Sequence, residues 1–135
     1  MRVLAIDYGA ATAGCALSDP SGTLATPLEA ISPPDIDRLA ALCREKGAEL
    51  VVVGLPRTLA GEEGSQAEET RAFVESLSAA VEVPVETWDE RFTTRMANAT
   101  RRETGARADE DSIAAAHLLE GYLHSRQGSG PGPRT

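Results

Sequence analysis

The chain has 135 residues, a length that suits one domain with room for a hydrophobic core. Apolar residues make up 41% and charged residues 25%, an ordinary globular balance, and no apolar run is long enough to span a bilayer. The formal charge of −8 argues against strong non-specific attraction to nucleic acid, so any grip on phosphate must come from a local patch.

Met1-Arg2 leads straight into a strand-like segment with no small-residue cleavage site, and a cytoplasmic protein is expected. Residues 2–8 read as a buried strand that ends at Asp7. Residues 10–14 turn the chain into a second strand, Cys15–Ser18. Asp19-Pro20-Ser21-Gly22 has turn chemistry and predicts a hairpin into a third strand over Leu24–Ile31. Ile36, Leu39, Ala40, Leu42 and Cys43 follow at helical spacing, and Gly47 stops that helix. Cys15 and Cys43 lack metal-type spacing and read as small buried hydrophobes.

Glu49–Pro56 is the clearest strand, and its unbroken β-branched run predicts burial on both faces, as in a parallel sheet. A loop, Arg57–Ser65, leads to a helix over Gln66–Val81. Val83-Pro84-Val85 starts a further strand that ends at Asp89-Glu90. Thr93-Thr94 caps a helix to about Glu103, and Asp109–Ser125 forms the last helix. From Gln127 the Gly/Pro-rich composition predicts a disordered tail, giving one domain over 1–126 and a tail over 127–135.

This order gives an α/β fold: three antiparallel strands, then two strands brought parallel to the first by right-handed crossovers. The expected product is a mixed five-stranded sheet flanked by helices. Open sheets of this kind bind ligands at the carboxyl ends of their parallel strands, where Asp7 and Asp89-Glu90 fall. Asp111, in the first turn of the last helix, shares a face with Ala115, Leu118, Leu119 and Tyr122.

An acid at the end of an apolar strand is costly to desolvate without a cation to meet it. Three acid stretches, around Asp7, Asp89-Glu90 and Asp111, therefore predict one cluster that holds a hard divalent cation through oxygen ligands. Alternation along a strand points Asp89 and Glu90 to opposite sides, and spacing does not choose between them. Blander roles stand beside these: an Asx-type turn for Asp7, and complementing the helix dipole for Asp111. Arg91, Arg95, Arg101, Arg102 and Arg107 form either a basic rim beside the acids or a solvated helix face. Arg91 and Arg95 are candidate phosphate contacts, with an ion pair to a neighbouring acid as the alternative for Arg91. His117, Trp88 and Tyr122 read as structural.

Five stretches in order carry a resemblance: Asp7-Tyr8-Gly9 with Gly14; Val53-Gly54-Leu55-Pro56; Gly61, Gly64 and Gln66-Ala67; Asp89-Glu90-Arg91-Phe92-Thr93-Thr94; and Asp111-Ser112-Ile113-Ala114-Ala115. Together they resemble the YqgF family, small bacterial proteins with the ribonuclease H-like fold, related to the RuvC resolvases. The resemblance implies a metal-dependent nuclease with catalytic, metal-binding Asp7, Glu90 and Asp111, using Mg²⁺ or Mn²⁺. It further implies processing of the 5′ end of pre-16S rRNA, or resolution of branched DNA as a Holliday junction resolvase. A non-catalytic RNA-binding or ribosome-assembly module is the other alternative. Expected partners are structured RNA or branched DNA, with no membrane, for a monomer or homodimer. The chain departs from the family at Gly9-Ala10-Ala11-Thr12-Ala13-Gly14, where two basic residues are common, and at Thr58, where Asn is common. Actin-like sugar kinases and ATPases share the opening Asp-x-Gly turn, but they need a second lobe that this length does not supply.

Overall fold

A computed structural model describes residues 1–9, 11–55, 65–89 and 110–129. Its strands are β1 (Val3–Tyr8), β2 (Ala13–Ser18), β3 (Ala25–Pro27), β4 (Leu50–Leu55) and β5 (Val85–Asp89). Its helices are α1 (Ile36–Glu45), α2 (Ser65–Ala80) and α3 (Glu110–Ser129). The helix expected from Thr93, and the loop after β4 up to residue 64, lie outside the described residues.

The sheet runs β3-β2-β1-β4-β5. β1 pairs antiparallel with β2 and parallel with β4, β2 pairs antiparallel with β3, and β4 pairs parallel with β5. This is the mixed sheet expected from the order of elements. Period-two alternation divides the apolar residues of the central strands between two layers. Leu4, Ile6, Cys15, Val51 and Val53 pack with Leu39 and Cys43 of α1 and Phe73 and Leu77 of α2. Val3, Ala5, Ala16, Leu50 and Val52 pack with Ala115, Leu118, Leu119 and Tyr122 of α3. All of β4 is buried, as its β-branched run predicts. Each such Val or Leu contributes about 1.5–3 kcal/mol relative to an exposed position.

Local chemistry sets the element ends. The Asp35 carboxylate caps α1 by accepting from the amides of Asp37 at 2.8 Å and Arg38 at 3.3 Å. Beyond the C-cap at Lys46, Gly47 takes φ +67° and Ala48 N–H donates back to Cys43 O at 3.0 Å. β3 is shorter than the expected Leu24–Ile31. Its last residue, Pro27, has no N–H, and beyond it the segment returns only as a bridge from Ile31 to Ala13. Leu28 N–H donates inward to Cys15 O at 2.8 Å, so the alternation turns the Pro27 nitrogen to the outer side. α3 runs to Ser129, past the Gln127 boundary expected for the tail. Among the described residues no helix is long and apolar enough to cross a membrane.

Candidate active site

Asp7 is the penultimate residue of β1, at the carboxyl end shared by the parallel strands. Val3 and Ala5 face α3, so alternation carries Asp7 to the same side, and the residue is partly buried there. Its register partner on β2 is Gly14, which has no side chain to set beside the carboxylate. The neighbouring Tyr8 goes to the opposite layer and stacks on Phe73 of α2, with centroids 4.3 Å apart and planes at 22°. The end of β1 is thereby fixed from below while Asp7 stands on the α3 side.

A hydrogen bond ties the first turn of α3 to the sheet. Cys15 N–H donates to Ser112 Oγ at 3.3 Å, and Ser112 is only 1% exposed. In an antiparallel ladder, Cys15 would return the bond that Leu28 gives it. Here its N–H goes to the helix hydroxyl instead. Cys15 is the register partner of Ile6, so Ser112 meets β2 beside the strand position that precedes Asp7. The backbone of Asp111, one residue back along the helix, is brought to this end of the sheet. Its side chain lies outside the described residues, although Ala115, Leu118, Leu119 and Tyr122 form the buried face expected for this helix.

At β5, Glu86 and Trp88 face α3, whereas Val85 packs with the α1–α2 layer. Asp89, partly buried at the end of β5 opposite Leu55, alternates with Trp88 and so belongs to the Val85 side. Glu90, Arg91 and Arg95 lie outside the described residues. No group of three His, Cys, Asp or Glu side chains that could hold a metal occurs among the described residues. Asp7 and the position of Asp111 offer carboxylate oxygens, the donor type that a hard divalent cation prefers.

His117 is mostly buried in α3, with Nδ1 3.0 Å from Glu120 Oε1. The Cys15 thiol is fully buried, and burial pushes its pKa up to about 12, which leaves no nucleophile at neutral pH. Ser112 and the Tyr122–Glu86 bond escaped the sequence reading. The helical stripe of Ser112, Ala116, Leu119 and Leu123 is polar only at its first member, and that is the signal that points to Ser112.

Comparison with known proteins agrees with this architecture. A family model described as "RuvX: Holliday junction resolvase" matches residues 1–125. A Rhodococcus erythropolis protein named "Putative pre-16S rRNA nuclease" is 42% identical over 139 residues, covering 93% of this chain and 78% of its own. An Acetivibrio thermocellus protein of the same name is 39% identical over 137 residues, covering 93% of this chain and 97% of its own. T. thermophilus RuvC, solved in complex with a Holliday junction substrate, matches with a TM-score of 0.61 at 17% identity, covering 96% of this chain and 97% of that one. The fowlpox virus resolvase, solved with Holliday junction DNA, matches at 0.59 and 10% identity, covering 93% and 98%. The fold is ribonuclease H-like, and with these relatives it defines the class: a nuclease, hydrolysing phosphodiester bonds. Within that class the chain belongs to the RuvX family, also called YqgF.

Proposed function

We propose that this nuclease matures the 5′ end of pre-16S rRNA in the cytoplasm, with Asp7, Glu90 and Asp111 as its catalytic, metal-binding acids. The observation that carries the reading is the meeting of β1 and α3. Asp7 stands on the α3 side of the sheet, where the Ser112–Cys15 bond ties down the first turn of the helix that contains Asp111. Of the pair Asp89-Glu90, alternation with Trp88 carries Asp89 to the side away from α3, which leaves Glu90 as the proposed ligand. The relatives' name supports the ribosomal substrate.

When bound, Mg²⁺ or Mn²⁺ supplies positive charge for the attacking water and for the leaving oxygen. The chain's own acids fix where that charge sits and need not move a proton themselves. Arg91 and Arg95 hold the substrate backbone through phosphate contacts, which position it without reading its sequence.

A second reading, the resolution of branched DNA, is favoured by the description of the matching family model. One experiment separates the two readings. A pre-16S rRNA precursor and a four-way DNA junction are offered side by side, with and without Mg²⁺ or Mn²⁺, to the native protein and to Asp7→Asn. Metal-dependent cutting of the RNA alone, lost in the folded variant, is the expected outcome. Preference for the junction would replace the ribosomal substrate. RNA binding with no cutting by either protein would leave a non-catalytic module.

A further inference from the structure

We propose that Ser112 is a positioning residue, one that sets the distance between the two carboxylate-bearing positions 7 and 111; this rests on the nuclease reading above. Ser112 is one of three buried polar side chains among the described residues, and its hydroxyl oxygen receives the one Cys15 N–H that the β2–β3 ladder leaves over. The bond joins residues 97 positions apart and crosses from the first turn of a helix to β2.

First turns are the loosest part of a helix, because their amides lack partners within it. The apolar contacts of Ala115, Leu118 and Leu119 set the axis of α3 on the sheet. Being non-directional, they leave the first turn free to slide or fray. A hydrogen bond is directional, and this one is anchored on the β3-facing edge of Cys15, the register partner of Ile6, which precedes Asp7. Consecutive Cα atoms are about 3.8 Å apart, so holding residue 112 holds the backbone of residue 111. Carboxylates that share a small octahedral cation tolerate little change in spacing.

The structure provides its own control. Ser18, also 1% exposed, accepts from Val3 N–H at 2.8 Å at the opposite end of the β1–β2 pair, far from Asp7 along the strand. Both serines satisfy a sheet amide, but only Ser112 does so beside the acids.

The test is a Mg²⁺ titration of cleavage by Ser112→Ala and Ser18→Ala, with thermal unfolding recorded for each. Both variants are expected to melt lower than the native protein. Only Ser112→Ala should need more Mg²⁺ for half-maximal rate, by about 10-fold or more, the scale seen when a metal ligand loses the group that orients it. Ser112→Thr and Ser112→Val form a second pair that shares one shape and differs in the hydroxyl. The Thr variant should stay closer to the native Mg²⁺ requirement than the Val variant. Independently of cleavage, Mg²⁺ should slow amide exchange at Cys15 more than at Val3 in the native protein, and should not do so in Asp7→Asn.

An unchanged Mg²⁺ requirement in folded Ser112→Ala, or an equal shift in Ser18→Ala, overturns the proposal. If neither Ser112→Ala nor the Val variant folds, Mg²⁺-insensitive exchange at Cys15 in the native protein overturns it. Loss of cleavage in Asp7→Asn with native behaviour in Ser112→Ala removes only the role of Ser112. Undiminished cleavage by Asp7→Asn removes the nuclease site itself.

Discussion

Trp88 of β5 and Tyr122 of α3 meet edge to face, with ring centroids 5.7 Å apart and planes at 88°. The Tyr122 hydroxyl donates to Glu86 Oε1 at 2.9 Å and accepts from Arg126 Nη1 at 2.9 Å, and the Arg126 guanidinium lies over the same ring. One tyrosine thus joins an edge strand to the helix through its ring and its hydroxyl. The two contributions can be separated. Tyr122→Phe should cost about 1–3 kcal/mol, because it removes two hydrogen bonds to charged partners. Tyr122→Ala should cost about 3–5 kcal/mol, because it also empties the space of the ring. Urea unfolding reads both, and equal losses would show that the ring contributes nothing.

Acid should loosen the β2–β3 hairpin through Asp19. Its carboxylate accepts from the amides of Leu24 at 3.1 Å and Thr23 at 2.8 Å, and from the Ser21 hydroxyl at 2.8 Å. These bonds, the Leu24 amide foremost, hold the carboxyl well below the usual carboxylate range. In the unfolded chain the same group titrates near about 4. Its stabilisation is therefore fully present above that value and is lost as the pH falls through the lower, folded pKa. The gap in Tm between the native protein and Asp19→Asn should be widest at neutral pH and narrow progressively in acid. A gap that stays constant would refute this.

Neither thiol should react while the protein is folded. Cys15 and Cys43 are buried, and desolvation raises both pKa values, that of Cys15 to about 12. A disulfide reagent at mildly alkaline pH should label both in urea and neither, on the same timescale, without it. Prompt labelling of one thiol in the native protein would contradict the burial.

Gly47 isolates a backbone effect. A Cβ there would meet nothing within 4 Å, yet φ is +67°, a conformation that side chains disfavour. Gly47→Ala should cost about 1–2 kcal/mol from backbone conformation alone. Gly47→Asn should cost less, since Asn tolerates this region. Denaturation midpoints of the two variants check the order.

The mixed character of the sheet was legible in the sequence wherever the apolar pattern carried it. Val51-Val52-Val53 could be buried on both faces only in a central strand, and the helical segments on either side of β4 forced parallel crossovers. The pattern failed at β3, where residues 24–31 alternate well enough for a longer strand. The ladder ends where Cys15 N–H goes to Ser112 instead of returning the bond to Leu28. Among the proposed site residues, Asp7 stood out because an acid that ends a run such as Leu4-Ala5-Ile6 is conspicuous. The choice between Asp89 and Glu90 was not readable, because it depends on which layer each side chain turns toward; the contacts of Val85 and Trp88 put Asp89 on the α1–α2 side, and Glu90 lies outside the described residues. The stripe of Ser112, Ala116, Leu119 and Leu123 marks the serine as buried, but nothing local names its partner. A serine in a first helical turn satisfies neighbouring amides so often that a partner 97 residues away does not suggest itself.

The outward-facing nitrogen of Pro27 matters for how these molecules behave when crowded. β3 is a border of the sheet, and borders invite foreign strands to dock and build fibrils. A newcomer approaching here finds a rim three residues long, with no proton to offer at its last position. The hairpin therefore discourages end-to-end stacking of sheets on this flank, even when many copies are made at once.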